Sequence, residues 1–215
     1  MSKSRYEAPV PWYPAPAKIA VLLSGRGSNF VALADACERG ELDARIVVVV
    51  SDRADAAGLL RAAERGIPSV VIERSSFPDR AGHEEALRRA IEDHGADLVC
   101  LAGFMRVLSA GFVERLPLRI LNIHPSLLPS FPGLEAQAQA LRHGVRVSGA
   151  TVHFVDSAVD SGPIILQEAV PVLPADGVPE LSARILETEH RVYSDALKRL
   201  LAGGWVRQGR TIRFP

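Results

Sequence analysis

The amino-acid sequence predicts an α/β protein with a doubly wound, mostly parallel sheet and helices on both faces. Five short, almost wholly apolar runs recur through the first 124 residues, and stretches of helical length separate them. Continuous apolar runs are typical of strands buried on both faces, as in a parallel sheet covered by helices. The regular alternation of strand and helix indicates the same architecture.

The predicted elements follow one another in order along this part of the chain. The strands are Lys18–Ser24, Ala44–Ser51, Pro68–Glu73, Ala96–Gly103 and Arg119–His124. The helices between them are Asn29–Arg39, Ala54–Arg65 and Pro78–His94. Gly66 and Gly95 follow the last two helices, and glycine is the residue that most often closes a helix.

The later part of the chain changes character. Three strand-like segments have short connections that favour antiparallel additions, and one long helix, Glu180–Ala202, separates the last two. These segments are Ala150–Val155, Ile164–Leu173 and Trp205–Phe214. Residues 1–17 contain four prolines and predict an irregular N-terminal arm. With no repeat and no clear linker, we predict that residues 18–215 form a single domain.

Composition disfavours several classes of function. Lys plus Arg and Asp plus Glu each number 25, which gives no basic footprint for nucleic acid. Cys37 and Cys100 lie far apart, which disfavours a disulfide framework and favours a reducing compartment. No segment approaches the about 18 apolar residues of a membrane span, and no signal-peptide core is present. We expect a cytoplasmic protein without a membrane partner.

A glycine-rich turn, SGRGSN from Ser24 to Asn29, joins the first predicted strand to the first helix. Parallel sheets bind ligands beyond the carboxyl ends of their strands, and free N–H groups at a helix start favour phosphate. Phe30 breaks the dinucleotide fingerprint at its third glycine position. The turn therefore predicts either a phosphate site or a simple helix start capped by Ser28 or Asn29.

Asn122 and His124 end the fifth predicted strand, immediately before Pro125. Side chains alternate along a strand, so both point to the same side, and the proline halts the ladder there. An amide donor beside an imidazole suits the stabilisation of an oxyanion and the handling of a proton. The alternative is that the two polar side chains only make hydrogen bonds to backbone groups of the loop.

The loop within His153–Pro163 contains Asp156 and Asp160. These aspartates either form turns or bring one carboxylate to His124, where it would favour the protonated imidazole. Arg106, after the fourth strand, either reaches solvent or binds an anion. His153, Asp156 and Asp160 would be the ligands of a metal site in this loop, but no cysteine or second histidine supports tetrahedral spacing, so we expect no metal.

Taken in order, GRGSN, LAGFMRVLS, LNIHPSLLPSFPG and VDSAVDSGPI resemble the phosphoribosylglycinamide formyltransferase family over about residues 18–200. Enzymes of this family transfer a formyl group from 10-formyltetrahydrofolate to the amine of 5-phosphoribosylglycinamide in purine biosynthesis. The resemblance implies a Rossmann-like fold with a phosphate-binding N-terminal half and a folate-binding C-terminal half. It also implies 10-formyltetrahydrofolate as co-substrate and no metal.

The resemblance implies roles for three groups of residues. The catalytic trio would be Asn122, His124 and Asp160. Within this trio the asparagine and protonated histidine would stabilise the tetrahedral oxyanion, while the aspartate would raise the pKa of the histidine. The ribonucleotide would be held by Gly27, Ser28, Asn29 and Glu189. The folate would be bordered by Arg80, Met105, Arg106, Val107, Leu108, Asn122 and Asp156.

Four other classes are alternatives. A 10-formyltetrahydrofolate hydrolase would use a similar trio with water as acceptor. A methionyl-tRNA formyltransferase would need an RNA-binding domain, and a nucleotide-binding dehydrogenase would need an intact fingerprint. A non-catalytic nucleotide-binding domain would need only the phosphate turn. The sequence departs from the family at Glu135 and Ala138, where relatives commonly have histidine and arginine, and it leaves open whether the protein is a homodimer.

Overall fold

The computed structural model describes residues 13–215, whose strands form one nine-stranded sheet. The strands are β1 (Ala17–Leu23), β2 (Ala44–Ser51), β3 (Ser69–Val71), β4 (Leu98–Leu101), β5 (Ile120–His124), β6 (Val147–Phe154), β7 (Ile164–Pro171), β8 (Val206–Gln208) and β9 (Thr211–Arg213). The helices are α1 (Ser28–Glu38), α2 (Ala57–Glu64), α3 (Arg80–Asp93), α4 (Ala110–Glu114), α5 (Ala136–Arg142) and α6 (Val178–Leu201), with a 3₁₀ turn at Arg74–Ser76.

The sheet has the order β3-β2-β1-β4-β5-β6-β7-β9-β8. The five strands from β3 to β5 pair in parallel, whereas β6 is antiparallel to both β5 and β7. The hairpin of β8 and β9 extends the edge beyond β7. This topology confirms the predicted α/β, Rossmann-like fold with a mostly parallel sheet and antiparallel C-terminal additions.

Apolar side chains pack on both faces of the sheet. Successive residues of β1, such as Val21 and Leu22, point to opposite faces of the sheet and belong to different core clusters. Both are fully buried. One cluster includes Phe30 from α1 and Tyr193 from α6, whereas the other includes Leu87 from α3. Burial on both faces explains why the parallel strands appear in the sequence as continuous apolar runs.

The structure differs from the predicted elements mainly in the short ones. Helices α4 and α5 were not predicted, because five and seven residues are too few for a helical period to stand out. Strand β1 begins at Ala17, and residues 13–16 have no regular structure. Residues 1–12 of the predicted arm lie outside the described residues. Within residues 13–215, no helix combines the length and apolar character needed to cross a membrane.

A close approach between β6 and its neighbours gives the first testable prediction. A Cβ atom at Gly149 would lie 2.1 Å from the carbonyl oxygen of Glu168 and 2.7 Å from Leu127, so Gly149→Ala forces the strands apart. We expect a loss of about 1–3 kcal/mol of stability, measured by urea unfolding. Gly111→Ala, in α4 with open space around it, is the control and should not destabilise. Equal stability of the two variants would contradict this account of the β6 packing.

Candidate active site

Two polar side chains lie at the carboxyl end of β5, where the parallel and antiparallel parts of the sheet meet. Asn122 and His124 line the same cavity, as the alternation along a strand predicts. On the neighbouring antiparallel strand, Asn122 faces His153 and His124 faces Thr151. His124 is only 4% exposed. The strand register therefore places an amide and two imidazoles in one cluster.

Both ring nitrogens of His124 contact oxygen acceptors of the protein. Nε2 lies 2.8 Å from the carbonyl oxygen of Phe131, and Nδ1 lies 3.3 Å from Oδ2 of Asp160. A neutral imidazole has one N–H and can donate to only one of these oxygens, whereas the imidazolium can donate to both. The contacts of this ring therefore favour its protonated form.

The pKa of His124 nevertheless lies below its ordinary value. Burial is the largest influence and disfavours the charged ring, while the Phe131 carbonyl and the Asp160 carboxylate act in the opposite direction. Asp160 thus acts in the direction expected from the sequence. The expectation of a raised pKa at His124 is wrong for this structure, because burial outweighs the carboxylate.

Asp160 lies in the loop between β6 and β7 and contacts several members of the cluster. Its Oδ2 accepts the backbone N–H of Gly133 at 2.8 Å, and its Oδ1 lies 3.5 Å from Nδ2 of Asn122. Burial opposes ionisation, but the contacts with His153, Gly133 and His124 outweigh it, so the pKa of Asp160 lies below its ordinary value. Its φ of 50° is in the left-handed region, which costs free energy for a non-glycine residue.

His153 belongs to this cluster, although the sequence analysis considered it only as a metal ligand and did not place it beside Asn122. Its Nδ1 lies 2.9 Å from the carbonyl oxygen of Phe154, and its Nε2 lies 3.2 Å from Nδ2 of Asn122. When the neutral ring donates from Nδ1, Nε2 accepts one amide hydrogen of Asn122, and the other hydrogen has only the long 3.5 Å contact with Oδ1 of Asp160. Only the β5–β6 register could have revealed this contact.

A cavity of about 380 Å³ opens beside the cluster. Asn122, His124, His153 and Asp160 form a polar wall, and most of the remaining lining is apolar. The residues predicted to border folate that line this cavity are Met105, Arg106, Val107, Leu108, Asn122 and Asp156. An apolar cavity with a few placed polar groups is typical of a small-molecule site.

A second cavity, of about 700 Å³, lies between the turn after β1 and helix α6. The residues predicted to hold the ribonucleotide all line it, namely Gly27, Ser28, Asn29 and Glu189. Gly27 has a φ of 70° and precedes α1, whose N-terminus is not capped by a side chain of the described residues. The N–H groups of this first turn are suited to bind an anion.

A buried hydrogen bond joins two residues that line the second cavity. Asn29 donates from Nδ2 to Oε2 of Glu189 at 2.8 Å, although the two residues are 160 positions apart. Within residues 13–215, Oδ1 of Asn29 is buried and has no hydrogen-bond partner. Burial raises the pKa of Glu189 above its ordinary value, against the smaller opposing effects of Asn29 and Arg26. The wall of the second cavity formed by Asn29 and Glu189 is therefore polar, and the amide oxygen of Asn29 lacks a hydrogen-bond partner among the described residues.

The two cavities meet beside the end of β5. Both are lined by Gly103, Met105, Ile123, Pro125 and Gln137. Two ligands bound in these cavities would therefore approach each other next to the Asn122–His124 pair. The sequence did not single out Gln137, which lies in the unpredicted helix α5.

Two predicted site features are placed differently from the rest. Arg80 does not line the first cavity; it lies in an adjoining hollow and donates to the carbonyl oxygen of Val107 at 2.5 Å. Glu135, one of the departures from the family, lines the first cavity, whereas Ala138 does not.

Among the described residues, no group of three His, Cys, Asp or Glu side chains is arranged to hold a metal ion.

Comparison with known proteins agrees with this architecture. The formyl transferase family matches residues 17–197. The chain is 41% identical to the phosphoribosylglycinamide formyltransferase of Haemophilus influenzae, over 90% of this chain and 88% of that protein. It is 48% identical to the trifunctional purine biosynthetic protein adenosine-3 of Bos taurus over 94% of this chain, which spans only 20% of that longer protein.

A crystal structure of glycinamide ribonucleotide transformylase 1 from Symbiobacterium toebii has a TM-score of 0.90 to this fold. The two are 50% identical, and the superposition covers 92% of this chain and 93% of that chain. The fold and these matches define the class of protein as a formyltransferase enzyme. Within that class, the chain belongs to the phosphoribosylglycinamide formyltransferase family. The resemblance seen in the sequence is thereby confirmed.

The raised pKa of Glu189 gives a prediction about stability. A carboxyl group whose pKa is higher in the folded state favours folding when protonated, and stability falls as rising pH ionises it. Glu189→Gln should therefore be more stable than the wild type at pH 8, by about 2–4 °C in Tm for about 1 kcal/mol. The difference should shrink as the pH approaches 5.

The exposed residue Glu187, on the same helix, supplies the matched control. Glu187→Gln should change Tm little at either pH, because an exposed substitution usually changes stability by less than about 0.5 kcal/mol. If Glu189→Gln lowers Tm at pH 8, the buried carboxylate contributes more through its hydrogen bond than burial costs.

Proposed function

We propose that this protein transfers the formyl group of 10-formyltetrahydrofolate to the amine of 5-phosphoribosylglycinamide. The observation that carries the proposal is the meeting of two cavities beside Asn122 and His124. One cavity has a helix N-terminus suited to phosphate, and the other is apolar and suited to a flat ring. Both substrates are charged, water-soluble molecules, so we place the reaction in the cytoplasm without a nucleic-acid or membrane partner.

The second cavity would bind the ribonucleotide. The N–H groups after Gly27, together with the Ser28 hydroxyl and the Asn29 amide, would donate to the phosphate. Glu189 would accept from the ribose hydroxyls, since a carboxylate has several acceptor positions and only one is occupied by Asn29. The incompletely paired polar groups of this cavity support such a ligand.

The first cavity would bind the folate. Its apolar wall, which includes Met105, Val107 and Leu108, would contact the ring system, and the loop that contains Asp156 would close one side. Asp156 itself accepts from the Ser161 hydroxyl at 2.5 Å and so stabilises the loop. The match between an apolar lining and an aromatic ring supports this assignment.

The polar cluster would stabilise the charge that develops on the formyl oxygen. As the substrate amine forms its bond to the formyl carbon, Asn122 would donate to the formyl oxygen the amide hydrogen that otherwise makes the long 3.5 Å contact with Asp160. Protonated His124 would contribute its positive charge, and would donate directly if Nε2 exchanged the Phe131 carbonyl for the substrate oxygen. Asp160 would favour this protonated form.

The reaction ends when the bond between the formyl carbon and the folate nitrogen breaks. The amine loses one proton and the folate nitrogen gains one, so the overall transfer consumes no other reactant. Either His124 or a water molecule held near Asp160 would carry this proton. The apolar walls would limit access of bulk water and strengthen each hydrogen bond.

The decisive experiment separates transfer from hydrolysis. Purified protein is mixed with 10-formyltetrahydrofolate, and release of tetrahydrofolate is followed with and without 5-phosphoribosylglycinamide. We expect release only when the ribonucleotide is present, with one formylated product per folate released. Release without ribonucleotide would instead support the 10-formyltetrahydrofolate hydrolase. No release under either condition would support a non-catalytic nucleotide-binding protein.

Asn122→Ala should lower kcat by about 10²- to 10³-fold, the usual cost of removing one oxyanion donor. In the proposed mechanism this hydrogen bond strengthens as charge develops on the formyl oxygen, so kcat should fall more than either KM. Steady-state kinetics together with an unfolding curve would check this. Near-normal turnover in a fully folded variant would exclude Asn122 from catalysis.

Asp160→Asn should lower activity by about 10²- to 10⁴-fold and change its dependence on pH. Without the carboxylate the pKa of His124 should fall further, so less of the imidazole is protonated near neutrality. The ratio of mutant to wild-type kcat should be highest in acid, where both imidazoles are charged. It should fall as the pH rises and level off above about 6.5, the ordinary pKa of histidine.

Asp156→Asn removes a carboxylate from the same loop and serves as the control. Its effect should appear in the folate KM and not in kcat, because Asp156 lines the proposed folate cavity and its carboxylate hydrogen-bonds, among the described residues, only to Ser161 and the backbone of Ala158. A large loss of kcat in Asp160→Asn with a ratio that stays flat across the titration of His124 would show that Asp160 acts by positioning alone.

A further inference from the structure

Arg26 lies in the glycine turn between β1 and α1, and it lines the second cavity. The residue is exposed and has Gly25 and Gly27 as its neighbours in the chain. Within residues 13–215, no ion pair includes its guanidinium. The resemblance to the family gave this residue no role, and its charge is available to a ligand of the cavity.

The second cavity has little positive charge for a ligand that carries a phosphate group. Among the described residues that line it, Arg26 is the one cation and Glu189 the one anion. The other residues that α6 contributes to the wall are uncharged, namely Pro179, Ser182, Ala183 and Leu186.

The charge of a phosphate ester exceeds what the helix start alone can offset. A phosphate monoester carries about −1.5 to −2 elementary charges near pH 7. The N-terminus of a helix is equivalent to roughly +0.5 elementary charge. Glu189 cannot help, because it repels a phosphate whenever it is ionised. Arg26 is therefore the side chain of this cavity that can supply the missing positive charge.

The guanidinium of Arg26 already acts on the polar wall of this cavity. It lowers the pKa of Glu189, although burial raises that pKa by more. The two side chains form no direct ion pair, so this influence acts through space. The guanidinium thus lies near the proposed ribose position without being held by the carboxylate.

We propose that Arg26 binds the 5′-phosphate of the ribonucleotide, in addition to the N–H groups at the start of α1, and so sets the preference of this cavity for a phosphorylated ribose. The inference rests on the proposed function, because it requires the ribonucleotide to occupy the second cavity. A guanidinium can donate two parallel N–H groups to phosphate oxygens. Ligand binding therefore gives Arg26 a direct partner, while Glu189 remains the acceptor for the ribose hydroxyls.

The test measures the binding of ribose 5-phosphate by calorimetry, in the absence of folate. Arg26→Gln should raise the Kd by about 5- to 20-fold, a loss between that of an exposed ion pair and that of a hydrogen bond to a charged group. Added salt should weaken binding to the wild type more than binding to Arg26→Gln, because salt screens exposed charges. In turnover assays the ribonucleotide KM should rise by a similar factor, whereas the folate KM and kcat should not change.

Three comparisons separate a direct contact from other effects. Arg26→Lys keeps the charge but loses the fork of N–H groups, so it should retain part of the affinity. Arg45→Gln removes an exposed cation at the amino end of β2, the opposite end of the strands, and should bind like the wild type. In a Glu189→Gln background, Arg26→Gln should raise the Kd by the same factor, because the contact is with the phosphate.

Two results would overturn the proposal: an unchanged affinity of Arg26→Gln for ribose 5-phosphate, or a loss that disappears in the Glu189→Gln background. The second result would show that Arg26 acts only through the charge of Glu189. Failure of the proposed function gives a different pattern, because the binding measurement does not require formyl transfer. Formyl transfer by Arg26→Gln with an unchanged ribonucleotide KM rejects the phosphate contact and leaves the formyltransferase proposal standing. Weakened binding in a protein that transfers no formyl group supports the phosphate contact and rejects the transfer.

Discussion

The geometry of the site depends on the carboxylate of Asp160. It lies 3.3 Å from the ring of His124 and accepts the N–H of Gly133, so it joins the loop after β6 to the loop after β5. The same carboxylate lies within 3.6 Å of His153 and 3.5 Å of Asn122. One ionised group therefore orients the proposed oxyanion donor, the imidazole and two loops. The left-handed backbone at Asp160 is consistent with a residue held in place for function rather than for stability.

Burial opposes charge at two positions of this site. It lowers the pKa of His124 and raises the pKa of Glu189, although the proposed reaction uses both groups in their charged forms. Substrate contacts that favour the charged forms would reverse this balance. Buried groups that must be charged for the reaction lower the stability of the folded protein. Such a loss of stability is common where activity needs partly desolvated charges.

Sheet topology explains why two different cavities share one reaction centre. The strand order reverses between β1 and β4, so the loops that follow these strands diverge and open a crevice. The Ser24 hydroxyl accepts the N–H of Met105 at 2.8 Å, which holds the two loops together at the floor of the crevice. Strand β5 then brings Asn122 and His124 to the point where the cavities meet.

The sequence alone determined the strand-and-helix alternation, the helix that follows the glycine turn and the shared orientation of Asn122 and His124, because these depend on local periodicity and backbone geometry. The family motifs also supplied the candidate site residues, but without their distances. Only the tertiary structure decided that His153 contacts Asn122, that Asn29 bonds Glu189 and that the His124 pKa is lowered. These properties depend on strand register, on contacts between distant segments and on burial, none of which a local sequence pattern contains.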